Sequence, residues 1–118
     1  MRTRDLARLE AFYSGLLGLP VLRRADGRVW LDAESTIVML ELAEPSEPEI
    51  PANCKEFVAF AISANERQRW RNAIEQSGWV IEAETPHTLY FRDPDGRRVG
   101  LSSYALGPQP QPDAGVID

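Results

Sequence analysis

The chain repeats itself at an interval of about 60 residues, and no other property restricts its fold as much. A fixed internal period means that one supersecondary unit is used twice, with each copy burying an apolar face that it could not bury alone. Asp5 is placed to cap a helix over "DLARLEAFYSGLLG", where Leu6, Leu9, Tyr13, Leu16 and Leu17 recur at helical spacing before Gly18. Asn65 is placed to cap a second helix, "NERQRWRNAIEQSG", with Trp70, Ala73 and Ile74 on one face before Gly78. Caps and closing glycines are both offset by 60. Downstream, "RVWLDAESTIVMLEL" at 28–42 and "LYFRDPDGRRVGLSS" at 89–103 each read strand–turn–strand, with turns at 32–35 and 93–96 offset by 61. A short strand is expected after each helix, near 19–24 and 79–83, and "KEFVAFAI" at 55–62 supplies one before the second helix.

Each unit therefore reads β-α-β-β-β. The fold class expected is α+β, with two βαβββ modules forming curved antiparallel sheets around a cleft. The first module spans 1–43 and the second 55–104, joined by a linker at 44–54 rich in proline and glutamate. The first module has almost no room for a leading strand, which by the 60-residue offset from Phe57 falls before Met1. Residues 105–118 form a Pro-rich tail expected to be extended, either as a free tail or with Val116 and Ile117 pairing against an open sheet edge.

Alternation sorts the strands into two faces. One set holds Val29, Leu31, Val38, Leu40, Leu42, Val58, Phe60, Ile62, Leu89, Phe91, Val99 and Leu101, and is expected to pack under the helices. The other mixes aromatic, small and polar residues: Trp30, Asp32, Met39, Glu41, Phe57, Ala59, Tyr90, Gly100, Ser102 and Tyr104. Four aromatic side chains on such a face suit a ligand-sized concave surface; the other reading is that they cover a dimer seam or fill a core. Gly100 stands out, because a glycine inside a strand marks a bulge or a close approach by something else.

Several chemistries are excluded. A net charge of −5 is a poor match for nucleic acid. No apolar run approaches the length of a membrane span, no secretion signal is visible near Met1, and a cytoplasmic location is expected. One cysteine, Cys54, and one histidine, His87, leave no disulfide, cysteine-rich zinc site or nucleophilic triad. His87 reads as an exposed turn residue, and Asp93 with Asp95 as turn chemistry around Pro94 and Gly96. Glu41 and Asp32, both on the mixed face, would attract a cationic ligand; a desolvated Glu41 with a raised pKa is the one candidate general base.

Two stretches carry a family resemblance. "RDLARLEAFYSGLLGLPV" at 4–21 and "YFRDPDGRRVGL" at 90–101, with the 60-residue repeat, resemble the vicinal-oxygen-chelate superfamily of glyoxalases, extradiol dioxygenases, fosfomycin-resistance enzymes and bleomycin-resistance proteins. The resemblance implies two βαβββ modules around a cleft. In the family's enzymes it also implies a divalent metal held from the leading and last strands of each module. Carried over by position, those places fall on Glu41 in the first module and on Phe57 and Gly100 in the second. One carboxylate cannot hold a transition metal that needs about three or four protein donors. The site is therefore expected to lack metal and cofactor, with glycine at position 100 opening space.

In character the chain resembles the bleomycin-resistance branch. That implies a homodimer that sequesters a small aromatic or cationic organic ligand, in the manner of an antibiotic-resistance protein, without catalysis. The alternatives are a metal-dependent lyase or dioxygenase, or a structural or regulatory dimer whose cleft is filled by its own side chains.

Overall fold

The computed structural model describes residues 1–104. Two four-stranded sheets form around one core. The first module runs β1 (Arg2–Thr3), α1 (Leu6–Glu10), β2 (Val21–Ala25), β3 (Arg28–Ala33) and β4 (Thr36–Leu42). The second runs β5 (Phe57–Ala61), α2 (Arg67–Gln76), β6 (Ala83–Glu84), β7 (Thr88–Arg92) and β8 (Arg98–Ser102). The sheet orders are β1-β4-β3-β2 and β5-β8-β7-β6, so the duplication read in the sequence is a duplication of topology.

The sheets are mixed rather than antiparallel. Each leading strand runs parallel to the last strand of its module, β1 to β4 and β5 to β8. The helix is the reason, since a helical crossover returns the chain in its starting direction and only the three later strands are joined by reversals. The first leading strand does not fall wholly before Met1. It survives as two residues, with Arg2 opposite Glu41 and Thr3 opposite Leu42. Its counterpart β5 has five.

Asp5 caps α1 as expected, accepting from the Arg8 amide at 3.0 Å. Asn65 does not cap α2: it lies inside a single 3₁₀ turn, Ala64–Glu66, that leads into the helix. Both helical segments stop at glycines in the left-handed region, Gly18 at φ 78° and Gly78 at φ 88°. After Glu10 the first helix widens into a π-helical segment, Ala11–Leu16. Phe12 and Tyr13 are the buried residues of this segment; Phe12, three residues after Leu9 and four before Leu16, lies on the same apolar face.

Val29, Leu31 and Leu40 of the first sheet and Phe91, Val99 and Leu101 of the second share one core with Leu9, Phe12, Tyr13 and Ile74. The Phe12 ring lies 5.8 Å from Phe91, and Tyr13 lies 6.2 Å from Phe60, so the first helix packs on the second module. Tyr13 also donates its hydroxyl to Asp93 at 2.6 Å. Asp93 is 2% exposed. It additionally accepts from the amides of Asp95 and Arg97 and from the Arg97 guanidinium. Burial and the adjacent Asp93 carboxylate push the Tyr13 hydroxyl far above its ordinary pKa. Asp93 is thus turn chemistry, as the sequence indicated, and also the polar tie between the modules.

Candidate functional site

Most of the helix-facing residues of both sheets converge on the shared core, so the mixed faces point away from it; Leu42 and Val58, expected there too, are instead exposed at 49% and 40%. On the first sheet, Trp30 pairs with Met39 across the β3–β4 ladder, and Arg23 lies over the Trp30 ring at 5.4 Å. Glu41 sits between two arginines, bonded to Arg2 and, at 2.7 Å, to Arg28. These partners hold the Glu41 carboxyl below its ordinary pKa, with the Arg28 bond the largest cause. The expectation of a free Glu41 that draws in cations or works as a base of raised pKa is therefore corrected. Its charge is already met inside the chain.

On the second sheet, Tyr90 pairs with Gly100 across β7–β8, and Ala59 pairs with Gly100 from the other side. The Phe57 and Tyr90 rings meet edge to face at 5.1 Å. Arg98 lies 4.2 Å from the Tyr90 ring centroid and donates to Glu82 at 3.1 Å. Thr88 donates its hydroxyl to Ser102 at 2.9 Å. Gly100 is buried, and the space beside it is occupied rather than open. A Cβ built there would lie 3.2 Å from Thr88 Cγ2 and 3.5 Å from both Ala59 Cβ and Phe57 Cδ2. The tight neighbour is the Thr88 methyl, with Ala59 and Phe57 in ordinary contact, so the glycine meets packed side chains and not a vacancy for ligand.

The ladders also correct the symmetry assigned to Glu41. Buried Val29, Leu31 and Leu40 match Leu89, Phe91 and Leu101, which sets Trp30 with Tyr90 and Met39 with Gly100. Glu41 then corresponds to Ser102. The 61-residue offset of the turns carried this signal, since it takes Met39 to 100 and Glu41 to 102. The positions from which a metal would be held are thus Met39, Phe57 and Gly100. None of the three offers an oxygen, nitrogen or thiolate donor, and Phe57 and Thr88 crowd the place a carboxylate would need. Among the described residues no group of three or more His, Cys, Asp or Glu could hold a metal ion. A chelated divalent ion does not fit this donor set.

The remaining expected site residues are dispersed. Asp32 and Ala59 line a cavity of about 610 Å³ between the modules, whereas Trp30, Met39, Glu41, Phe57, Tyr90, Gly100 and Ser102 line none of the three cavities described. Tyr104 lies beyond β8, 62% exposed. It stands edge-on to His87, which is exposed as expected. Cys54 is half-buried, and its carbonyl accepts from Arg92 at 2.6 Å. Val116 and Ile117 lie outside the described residues. No helix among the described residues is long and apolar enough to cross a membrane.

Comparison with known proteins agrees with this architecture. The model of the Glyoxalase family, described as the Glyoxalase/Bleomycin resistance protein/Dioxygenase superfamily, matches residues 1–101. No curated protein matches the chain. Among solved structures, it is similar to the fosfomycin resistance protein FosX from Mesorhizobium loti, with 18% identity, 90% of this chain and 88% of that one covered, and a TM-score of 0.74. FosX from Listeria monocytogenes, solved with Mn(II) and sulfate ion, is 16% identical over 90% of this chain and 86% of that one, with a TM-score of 0.75. Lactoylglutathione lyase from Agrobacterium tumefaciens is 21% identical over 86% and 87%, with a TM-score of 0.69. At these identities the likeness is one of fold.

Proposed function

The chain belongs to the Glyoxalase/Bleomycin resistance protein/Dioxygenase superfamily, and from that premise we propose that it is a metal-free small-molecule-binding protein of the resistance type. One observation carries the reading. Where the second module would present a metal-binding carboxylate, the chain has Gly100, with the Phe57 ring packed into the space beside it. The place a carboxylate would take is closed by the Thr88 methyl and bordered by the Phe57 ring. The Phe57–Tyr90 pair and Trp30 then offer flat apolar surfaces edged by Arg98 and Arg23. Such surfaces suit a planar aromatic ligand held by stacking, with polar groups at its rim.

A second copy of the chain completes the cleft in this proposal. The mixed faces leave apolar area open to water: Ile37 on β4 is 60% exposed and Phe57 on β5 is 45% exposed. Beyond Met1, whose N-terminus donates to the Met39 carbonyl, the β4 stretch before Met39 has no strand on its β1 side among the described residues. Apolar area beside an unpaired strand edge favours a covering partner. A homodimer would place one Trp30 face against one Tyr90 face.

The test is direct. Protein purified without chelator is expected to hold far less than one transition-metal ion per chain by elemental analysis, to run as a dimer by light scattering, and to show tryptophan quenching by a planar aromatic that Trp30→Phe reduces. Ile37→Arg is expected to shift it toward monomer and weaken that quenching. A stoichiometric transition metal overturns the proposal and favours a lyase or dioxygenase; a monomer with full ligand affinity overturns its dimeric part.

A further inference from the structure

Arginine supplies twelve of the thirteen basic residues of the chain and edges most of its surface features. The cavity near α1 and the linker includes Arg2, Arg4 and Arg8 among its walls, and the shallow one between the helices includes Arg8. The inter-module cavity is different. Its walls contain no arginine or lysine, and its only ionisable side chains are Asp32 and Glu34. Phe60, Ile62, Trp70 and Leu101 supply an apolar floor. Its volume, about 610 Å³, is that of a small-molecule site.

The hairpin orients the Asp32 carboxylate and leaves Glu34 exposed beside it. Glu34 holds φ 63°, in the left-handed region, at the tip of the β3–β4 hairpin. Its amide donates to Asp32 Oδ1 at 2.8 Å, which sets the direction of the Asp32 carboxylate. In contrast to Glu41, clamped by Arg2 and Arg28, and Glu82, bonded to Arg92 and Arg98, neither Asp32 nor Glu34 forms an ion pair with another described residue. Arg69 lies 5.7 Å from the Trp70 ring centroid and is already bonded to Glu66 at 2.5 Å.

We propose that the inter-module cavity binds an organic ammonium ion with a flat apolar body. This site is separate from the aromatic sheet faces, and the inference does not depend on the reading given for them. The ammonium group pairs with Asp32 and Glu34 at the rim, where an apolar floor lowers the local dielectric and strengthens the attraction. The body packs against Phe60, Ile62 and Trp70, whose ring face also attracts positive charge. The other two cavities offer no such free pair: Glu47, Glu49 and Asp95 of the first face Arg2, Arg4 and Arg8, and the second carries Arg8 alone. The cation attraction expected of the chain thus moves from Glu41, which is neutralised, to Asp32, which is not.

The experiment compares two probes of one shape, 1-naphthylmethylammonium and 1-naphthylmethanol, titrated into the ¹⁵N-labelled full chain. Saturable amide shifts are expected at residues 32–36 and 59–62, with the ammonium binding roughly tenfold more tightly than the alcohol. Asp32→Asn keeps an acceptor for the Glu34 amide; it is expected to abolish most of that tenfold difference and leave alcohol binding unchanged. Ala61→Trp, which narrows the cavity from the β5 side, is expected to weaken both probes. Equal affinity for the two probes, an unaffected Asp32→Asn variant, shifts centred on Trp30 and Tyr90, or no saturable binding of either probe would each overturn the proposal.

Discussion

The two modules share a ladder and differ in what lies on either side of it. On the core side the match is residue by residue: Val29, Leu31 and Leu40 stand where Leu89, Phe91 and Leu101 stand. On the outer side almost nothing is retained. The first sheet carries an ion-paired surface of Arg2, Glu41 and Arg28 with an arginine-capped Trp30. The second carries a packed corner of Phe57, Tyr90, Thr88 and Gly100. One shared core constrains the inner faces of both copies, because a cavity or an overpacked side chain there costs several kcal/mol, roughly 2–5 for a large truncation. The outer faces carry no such mutual constraint, so the copies are free to become a charged half and an aromatic half.

The hairpins give the sharpest way to break this comparison. Asp32 and Asp93 both accept from the amide two residues on, at 2.8 Å and 2.9 Å. Only Asp93 is buried and bonded to Tyr13 and Arg97 across and within the modules. Asp93→Ala removes the partner of a half-buried guanidinium and of a buried hydroxyl together. It is expected to cost about 3–5 kcal/mol in urea unfolding, against about 1 kcal/mol or less for Asp32→Ala. Equal costs would show that the turns, not the inter-module tie, set the stability of the second hairpin.

The outer faces give a second and smaller contrast. Gly100→Glu restores a carboxylate at a chelating position but drives its Cβ to 3.2 Å from Thr88 Cγ2. An expected loss of about 1–3 kcal/mol follows from the overpacking, with no gain of Mn(II) or Zn(II) affinity by calorimetry, since Met39 and Phe57 still offer no donor. Met39→Glu, at the matching but half-buried place, is expected to cost less. Gly100→Glu protein that binds metal stoichiometrically would mean that hidden donors complete the site.

These contrasts also explain how far the sequence could be read. Period and caps made the modules, both glycine stops and the two sheet faces legible, because burial imposes alternation on strands and handed spacing on helices. Phe12 was legible too, at i+3 from Leu9 and i−4 from Leu16, although the stripe read in the sequence passed over it. Asn65 misled because a 3₁₀ turn sits before α2 and displaces the start of the helix. The neutralisation of Glu41 was hidden because Arg2 and Arg28 reach it from other strands, 39 and 13 residues away. The packing at Gly100 was hidden because it joins two strands: the Thr88 methyl reaches it from β7, and Phe57 and Ala59 from β5 across a parallel pairing that no local pattern encodes.

The smallest expected effect concerns acid. Arg2 bridges Glu41 of the first module to Glu47 of the linker, and its bond holds the Glu47 carboxyl down at about 2. On the second module Arg92 and Arg98 lower the carboxyl of Glu82. A carboxyl whose folded pKa lies below its unfolded value, about 4.3 for Glu, contributes stability that is in place above that value and is lost as pH falls through the folded pKa. Glu47 therefore keeps its contribution down to the neighbourhood of pH 2. Melting temperatures measured from pH 6 to pH 2 should decline in the native chain, with the last part of the decline belonging to the Arg2–Glu47 bridge. Arg2→Ala returns Glu47 toward its ordinary value, so it should lower the melting temperature at pH 6 slightly and flatten the curve near pH 2. Arg98→Ala, which leaves Arg92 on Glu82, should flatten it less. The pairs are exposed and screened, so the shifts should shrink in high salt. Curves that respond equally to both variants would mean that the ion-paired face of the first sheet is no more tightly coupled than the rim of the second.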